Sequence, residues 1–311
     1  MSTADQSPGS VTVRVPAKVN LDLRVGPVRP DGYHELSTVF MAVGLHDEVT
    51  ATTSDTWRVT VGGPCCAGVP TDDTNLALLA ARTLAEEVGV HEPVSLHLHK
   101  DIPVAGGMAG GSADAAAALV ACDHLWSAGM SRDELADLAA QLGSDVPFAL
   151  SGGIAMGSGR GEQLAPVLAR GSYHWVFALS QTGLSTPEVY AECDRLRAGR
   201  RVPVPTPSPE VMTALRSGDP QALGRALRND LQPAALSLQP GLAEVLEAGV
   251  EYGALGGLIS GSGPTVAFLT ASPEAALDLC VALTASGVAG DVRRAKAPVH
   301  GAQVVAGPAR I

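Results

Sequence analysis

Two pairs of glycines lie directly before an alanine-rich run in the stretch IPVAGGMAGGSADAAAALV, residues 102–120. Glycine costs a helix interior about 1 kcal/mol relative to alanine, so the stretch predicts a glycine loop followed by a helix that begins at Ser112. The first N–H groups of a helix lack intrahelical partners, and the macrodipole is positive there. Glycines just ahead let the backbone bend closely around an anion, which predicts a phosphate-binding site. A tightly packed helix entry is the alternative interpretation.

This loop differs from the common nucleotide-binding loops. No lysine precedes Ser112, so the stretch is not G-x-x-x-x-G-K-[ST], and it is not G-x-G-x-x-G either. The Ser112 hydroxyl could cap the helix, bind phosphate or help to hold a metal ion. Asp114, in the first turn, suits the helix dipole but would repel a phosphate that it faced, so we expect it either to turn away or to assist a cation.

Predicted strands and helices alternate around the loop. Period-two alternation predicts two short strands, 11–15 and 21–25, joined around Pro16-Ala17-Lys18, and Pro30-Asp31-Gly32 marks a turn. The further elements of this half are β structure over 47–61, a helix over 74–89, a strand over 93–103, a helix opened by a Ser131–Glu134 capping box and stopped at Gly143, and a glycine-rich hairpin over 154–167. His97 and His99 share a strand face, which fits a solvated surface or, with a third ligand, a metal site.

The second half of the chain predicts mixed structure as well. Its elements are a strand over 173–180, helices around 209–216, 219–228, 240–249 and 273–286, a glycine turn before a strand within 255–269, and a last strand with a tail over 290–311. The segment 195–209 is predicted to be an exposed, flexible Arg/Pro-rich loop with solvated arginines, namely Arg195, Arg197, Arg200 and Arg201. Two blocks of mixed elements predict an α+β protein with a disordered tail over 1–10 and domains over 11–165 and 166–311.

Composition limits the classes of protein that fit. The chain has 311 residues, which is too long for one ordinary core and favours two domains. Its apolar fraction of 46% is enough to form globular cores. A net charge of −11 argues against binding to nucleic acid or to an anionic membrane, and no apolar run approaches the roughly 18 residues of a membrane span. The first ten residues lack the apolar core of a signal peptide. Five cysteines without a C-x-x-C pair suit free thiols in the cytoplasm, with a reactive or metal-binding Cys65-Cys66 pair as the alternative.

Three motifs resemble those of one enzyme family. P-V-A-G-G-M-A-G-G-S-A at 103–113 resembles the P-x-G-G-G-L-G-G-G-S-S motif of the GHMP kinases, with Ala105 and Ala109 where glycine is common. Alanine tolerates most conformations except positive φ, so we expect the loop to survive with slight local adjustment. P-A-K-V-N-L-D-L at 16–23 and L-I-S-G-S-G-P-T-V at 258–266 are similar to the first and third motifs of the family. The resemblance implies an N-terminal domain like ribosomal protein S5 domain 2 and a ferredoxin-like C-terminal domain.

Further segments resemble one branch of these kinases. D-G-Y-H-E-L-S-T-V-F at 31–40, L-G-S-D-V-P-F at 142–148 and L-S-T-P-E-V-Y at 184–190 are similar to the branch that phosphorylates the 2-hydroxyl of 4-diphosphocytidyl-2-C-methyl-D-erythritol, in the non-mevalonate isoprenoid pathway. The resemblance implies ATP as phosphoryl donor with Mg²⁺ as its partner, although no side-chain cage for the ion is predicted. The residues implied to bind ATP are Pro103, Val104, Ala105, Gly106, Gly107, Met108, Ala109, Gly110, Gly111, Ser112 and Ala113.

The resemblance also implies individual roles. Asp145 would accept the proton of the substrate hydroxyl, and the Lys18 ammonium beside it would keep that carboxylate ionised and offset charge in the transition state. Asn20, two residues along the strand, shares a face with Lys18 and would orient the same hydroxyl. On residue type alone, a carboxylate before Pro147 is often a turn former, and Lys18 could be an ordinary surface lysine.

Substrate contacts follow from the same resemblance. Tyr33, His34 and Tyr190 would stack on the cytosine and hydrogen-bond its edge, and Thr186 would contact the erythritol or its phosphate. Residues 33 and 34 could equally be ordinary turn residues. Two other functions stay open, a sister GHMP kinase for homoserine or a mevalonate-type substrate, which would not need the D-G-Y-H turn, and a non-catalytic relative, which should have lost Lys18 or Asp145.

Overall fold

The computed structural model describes residues 9–180 and 182–307. Its strands are β1 (Ser10–Val28), β2 (His34–Thr53), β3 (Arg58–Gly62), β4 (Val94–His99), β5 (Ile154–Gly159), β6 (Gln163–Pro166), β7 (Tyr173–Leu179), β8 (Arg228–Asn229), β9 (Gly256–Ile259), β10 (Val266–Thr270), β11 (Asp291–Ala297) and β12 (Gln303–Ala306). Its helices are α1 (Leu76–Val88), α2 (Gly110–Leu125), α3 (Arg132–Leu142), α4 (Val146–Ser151), α5 (Thr186–Arg197), α6 (Pro209–Ser217), α7 (Pro220–Ala226), α8 (Gln232–Leu238), α9 (Leu242–Glu251) and α10 (Pro273–Ala285). The α+β fold expected from the sequence is confirmed.

The first sheet is built around the long antiparallel pair β1–β2. Its strand order is β12-β1-β2-β4-β3, with β5 and β6 continuing from β2 and β8 pairing with β1. The prediction of two short strands within 11–25 is wrong, because β1 runs continuously through Pro16. A proline cannot donate to a strand ladder, and here the register shifts at Pro16/Ala17 and again between Asn20 and Asp22. These bulges bend the strand where it carries Lys18 and Asn20.

Helix α2 is buried against this sheet and against α1. Its alanines and Leu119 belong to the main hydrophobic core. A helix that is apolar all round is expected in the interior, and alanine side chains allow close approach to β1 and β2. The predicted helix ends are confirmed for α1, which stops at Gly89, and for α3, which has the Ser131–Glu134 capping box.

The second sheet has the strand order β11-β7-β10-β9 and is antiparallel throughout. In chain order, β7, β9, β10 and β11 are the four strands of a β-α-β-β-α-β arrangement. The first and third of them, β7 and β10, lie at the centre of the sheet, as in ferredoxin-like domains. Aromatic side chains on β7 and β10, including Trp175, Phe177 and Phe268, fill the space between this sheet and its helices.

The chain crosses between the two sheets more than once. β8 and β12 come from the second half of the sequence, yet both pair with β1. The domain ranges 11–165 and 166–311 stay predictions. β12 falls within the second range, yet it belongs to the first sheet. Of the predicted tail, residues 1–8 lie outside the described residues, and Ser10 already belongs to β1. The sequence analysis missed α4, α5, α8, β8 and β12.

The arginines of the predicted loop over 195–209 are not all solvated, which corrects that expectation. Helix α5 extends to Arg197, and Arg195 on it pairs with Glu192 at 2.6 Å. Arg197 donates to the Val25 carbonyl of β1 at 2.7 Å and pairs with Asp230 at 3.2 Å. Arg200 and Arg201 are exposed, as expected.

Within residues 9–180 and 182–307, none of the helices combines the length and the apolar character needed to cross a membrane.

Candidate active site

A cavity of about 850 Å³ opens between the two sheets. The glycine loop after β4 forms one wall, strands β1 and β2 form the floor, and α5 with the turn between β9 and β10 closes the far side. Every residue predicted for substrate or catalysis lines it, namely Lys18, Asn20, Tyr33, His34, Asp145, Thr186 and Tyr190. The fold therefore brings together residues that are up to 172 positions apart in sequence, Lys18 to Tyr190.

The helix behind the loop begins earlier than predicted. α2 starts at Gly110 rather than Ser112, so Ser112 lies within the first turn and does not cap it. The N-cap residue is Ala109, which makes no side-chain cap bond, so the first N–H groups have no side-chain acceptor at that position. A Cβ on Gly111 would meet nothing within 4 Å. The first turn thus offers open space, unpaired amides and a positive dipole end, which suits a phosphate.

Two alanines of the loop hold a conformation that alanine disfavours. Ala105 has φ 49° and Ala109 has φ 62°. The expectation of slight local adjustment is therefore wrong, because the loop keeps the left-handed geometry at both positions and accepts its steric cost, about 1–2 kcal/mol per residue. Gly107 is also left-handed, and a Cβ there would lie 1.9 Å from the Ser260 carbonyl oxygen. The loop is thus pressed against the turn after β9.

Some of the loop points away from the cavity. Pro103 to Gly107 and Ala109 to Ser112 line it, whereas the side chains of Met108 and Ala113 are 0% and 1% exposed and belong to the core. Met108 acts through its backbone, since its carbonyl accepts from the Lys18 amide at 3.2 Å. The loop is therefore hydrogen-bonded to β1 and continues directly into α2.

A buried ion cluster supports the loop from behind. Lys100 donates to both Asp47 and Asp114, the latter at 2.6 Å, and to the Gly110 carbonyl at 3.3 Å. Burial would lower the pKa of Lys100, but the two carboxylates outweigh it and the net pKa is raised. Asp114 has turned inward, one of the two alternatives expected for it, and burial raises its pKa to about 7. Within the part of the chain that is described, its Oδ1 has no hydrogen-bond partner.

Lys18 and Asp145 face each other on the cavity floor. Lys18 is 7% exposed, and its ammonium lies 3.7 Å from Asp145 Oδ2, at ion-pair distance. It donates to Asn20 Oδ1 at 2.7 Å, and Asn20 donates to Thr38 at 2.8 Å. Asp145 precedes α4 but makes no side-chain cap bond, so its carboxylate stays available to the cavity. A partly exposed carboxylate next to a fixed cation can hold a hydroxyl and take its proton.

Aromatic rings gather at the other end of the cavity. The rings of His34 and Tyr190 lie 5.0 Å apart, and His34 Nε2 is 3.0 Å from Asp194 Oδ1. Tyr33 is 54% exposed and stacks under the Arg160 guanidinium at 4.9 Å. Burial, and to a lesser degree the Asp145 charge, raises the pKa of Tyr190, so this phenol stays neutral and a hydrogen-bond donor. The group presents flat surfaces and polar edges, which suits a nucleobase.

Several residues at this cavity were not singled out from the sequence. Ser262 Oγ lies 2.8 Å from Thr186 Oγ1, and Thr38 continues the chain from Asn20 to the Asp22 carbonyl. Both belong to motifs already quoted, so the motifs themselves were the available signal. Arg160 and Asp194 lie in a hairpin and on a helix with no motif of their own. Among the described residues, no three His, Cys, Asp or Glu side chains form a metal-binding group.

Comparisons with known proteins agree over nearly the whole chain. The family models for the GHMP kinases N terminal domain and the GHMP kinases C terminal domain match residues 75–153 and 211–289. The 4-diphosphocytidyl-2-C-methyl-D-erythritol kinase of Streptomyces avermitilis is 58% identical over 296 residues, which is 95% of this chain and 100% of that protein. The protein of the same name from Mycolicibacterium smegmatis is 58% identical over 311 residues, covering 99% of this chain and 97% of its own.

A solved structure is similar as well. The crystal structure of a 4-(cytidine 5'-diphospho)-2C-methyl-D-erythritol kinase matches with a TM-score of 0.74 and 34% sequence identity. The match covers 92% of this chain and 99% of that chain. A match over this share of the chain includes most of both halves of the fold.

Proposed function

This chain belongs to the GHMP kinase family, and from that premise we propose that it phosphorylates the 2-hydroxyl of 4-diphosphocytidyl-2-C-methyl-D-erythritol with ATP. The products are the 2-phosphate and ADP, in the non-mevalonate route to isoprenoid precursors. The observation that carries the proposal is one cavity that holds a phosphate-binding loop, a Lys18–Asp145 pair and an aromatic cluster in series. Such a series matches a donor phosphate, an acceptor hydroxyl and a nucleobase.

The glycine loop is proposed to bind the ATP phosphates. The free amides of the first turn of α2 and the open space at Gly111 fit an anion, and the Lys100–Asp47–Asp114 cluster fixes Gly110 from the core side. Mg²⁺ is proposed as the partner of ATP, where it neutralises phosphate charge. The phosphates would supply most of its ligands, and the Ser112 hydroxyl, which lines the cavity, would be a further oxygen ligand from the loop.

Lys18 and Asp145 are proposed to handle the acceptor. As the hydroxyl oxygen forms its bond to the γ-phosphorus and the bond to the β-phosphate oxygen breaks, the hydroxyl proton passes to the Asp145 carboxylate. Lys18 stabilises the ionised carboxylate beforehand and the phosphoryl charge during transfer. Asn20 fixes the Lys18 ammonium and is in turn fixed by Thr38.

The aromatic cluster is proposed to bind the cytidine. Tyr190 and His34 give stacking surface, and His34 and Tyr33 lie where the turn before β2 meets α5. Thr186, hydrogen-bonded to Ser262, lies between this end and the glycine loop and would contact the erythritol or a phosphate. A cytoplasmic location is proposed too, since all five cysteines are free thiols.

The test is release of ADP from ATP and Mg²⁺ with a panel of alcohols. The panel contains 4-diphosphocytidyl-2-C-methyl-D-erythritol, methylerythritol 4-phosphate without the cytidine, homoserine and mevalonate. We expect turnover only with the intact cytidine compound. Turnover with homoserine or mevalonate would replace the substrate assignment and keep the kinase. Absence of turnover with every alcohol would contradict the proposed activity itself.

A further inference from the structure

Asn229 lies just outside the cavity and holds the turn that borders it. Its side chain is buried, and Nδ2 donates to the Ile259 carbonyl at 2.6 Å and to the Gly261 carbonyl at 2.7 Å. Its Oδ1 accepts from the Leu231 amide at 2.8 Å. The amide therefore uses both of its donors at the start of the turn over 260–263, one on the last residue of β9 and one on the second residue of the turn. A hydrogen bond buried in this way is costly to leave unmade.

The turn over 260–263 contacts three parts of the proposed machinery. Ser260 Oγ donates to the Gly107 carbonyl of the phosphate loop at 3.0 Å. A Cβ on Gly261 would lie 2.8 Å from that same carbonyl oxygen and 3.1 Å from Lys18 Nζ. Ser262 bonds Thr186. A shift of this turn would move the phosphate loop, the cation and a substrate contact relative to one another.

Asn229 is itself fastened to the strand that carries Lys18. It pairs with Leu23 in the parallel contact between β8 and β1. The next residue, Asp230, donates its amide to the Leu23 carbonyl at 2.8 Å and accepts from the Val25 amide at 3.1 Å. Residues 229 and 230 are thus bonded to β1 on one side and, through the Asn229 side chain, to the turn after β9 on the other.

We propose that Asn229 is a positioning residue that sets the distance between the phosphoryl donor and the acceptor, an inference that rests on the proposed kinase function. It touches neither ligand. It aligns Gly107 with Lys18 by holding the turn that both of them contact. Misplacement of reacting groups by about 1 Å can cost about 10²-fold in rate without a matching loss of binding. The expected signature is therefore a loss in kcat with ATP affinity retained.

The test compares Asn229→Asp and Asn229→Ala with Leu279→Ala. The aspartate has the same size but cannot donate, and it sets a negative charge against two carbonyls. The alanine removes the bonds without adding charge, in case the aspartate prevents folding. Leu279, 1% exposed in α10 and remote from the cavity, supplies a control that is destabilised by a lost core contact. All are assayed below their melting temperatures for kcat, for the Kd of a non-hydrolysable ATP analogue, and for amide hydrogen exchange.

We expect both Asn229 variants to lose about 10²-fold in kcat while the Kd for the analogue changes less than about threefold. Exchange should quicken within 105–109 and within 259–263, and Leu279→Ala should change neither segment. The proposal is overturned if exchange in both segments is unchanged, or if Leu279→Ala loses as much kcat. A wild-type chain that turns over no alcohol would remove the proposed function, and the exchange data would still decide whether Asn229 holds the turn against the loop.

Discussion

At the scale of single residues, the arrangement of Lys18 and Asp145 accounts for the proposed chemistry. Their 3.7 Å separation lets the ammonium stabilise the carboxylate while leaving the carboxylate oxygens free to accept a proton. Asn20 takes a hydrogen bond from the ammonium, which fixes its direction. The pair is therefore an oriented ion pair on the cavity floor, with a buried ammonium and a partly exposed carboxylate.

Asp145→Asn should fold normally and lose turnover by about 10²–10⁴-fold, because the amide cannot accept the hydroxyl proton. ADP release measures the loss, and circular dichroism with thermal melting checks the fold. Asp137→Asn is the matched control, since it makes the same change on the exposed face of α3. Wild-type turnover in Asp145→Asn would contradict the assigned role.

Asp114 should make stability depend on pH near neutrality. Burial raises its pKa from an ordinary 3.8 to about 7, with Lys100 and Asp47 as its charged neighbours. Between those values the folded chain binds this proton more tightly than the unfolded chain, so this group's contribution to the free energy of unfolding falls as pH rises from about 4 to about 7. In Asp114→Asn that contribution is absent. The melting temperature of the variant relative to wild type should rise between about pH 4 and pH 7, and a constant difference would contradict this pKa.

At the scale of elements, the loop proposed to bind phosphate, the glycine loop, depends on its glycines for two different reasons. Gly107 has φ 73° and no room for a Cβ, whereas Gly111 lies in α2 with open space beside it. Gly107→Ala should lose both stability and activity because it forces the loop off the turn at Ser260. Gly111→Ala should keep or raise the melting temperature, since alanine favours a helix by about 1 kcal/mol, yet weaken ATP binding by filling the phosphate space. Melting and ATP titration separate the two effects, and equal melting temperatures would contradict the contrast.

Ala109→Gly should stabilise the chain. Alanine at φ 62° carries a steric cost of about 1–2 kcal/mol, and glycine removes it while adding some unfolded-state entropy. The expected net gain in the free energy of unfolding is about 0.5–1 kcal/mol, measured by urea denaturation. Ala282→Gly, in the interior of α10, is the control and should instead cost about 1 kcal/mol. A loss in both variants would contradict the strain at Ala109.

Elements with local signals could be predicted, and those set by tertiary contact could not. The glycines that end α1 and α3 are recognisable in the sequence, and so is the capping box that begins α3. The continuity of β1 through Pro16 depends on a bulge opposite β2, which no local pattern reveals. β12 is four exposed residues whose partner, β1, lies about 290 positions away, since Thr12 faces Ala306.

At the scale of the whole molecule, α5 holds the two sheets together through one arginine. Arg197 bonds the Val25 carbonyl and Asp230, so Arg197→Ala would leave a largely buried carboxylate and a strand carbonyl short of partners. The expected loss in the free energy of unfolding is about 1–3 kcal/mol by urea denaturation. Arg195→Ala, two residues away on the same helix, removes a pair whose arginine is 67% exposed, and Glu192 keeps its hydrogen bond from Ser237, so the loss should be much smaller than that of Arg197→Ala. Equal effects would contradict the bridging role.

The site could be predicted from the sequence only where a motif carried it. The glycine loop, Lys18 and Asp145 lie in recognisable motifs, and the fold brings them to one cavity. Arg160 and Asp194 have no such motif, and they reach the aromatic cluster only because the β5–β6 hairpin and α5 meet there. The turn at Ser260 was visible as a motif, but its contact with Gly107 spans 153 positions and needs the folded chain.

The return of β12 to the first sheet makes the second sheet an insertion within the first. The chain leaves through residues 167–172 and comes back through residues 298–302. A protease that cut only one of these connections would free neither part, because the other would still tether them. β8, which lies in the chain between these two connections and pairs with β1, is a third attachment, so any widening of the cleft between the sheets must either carry β8 along with β1 or break that pairing.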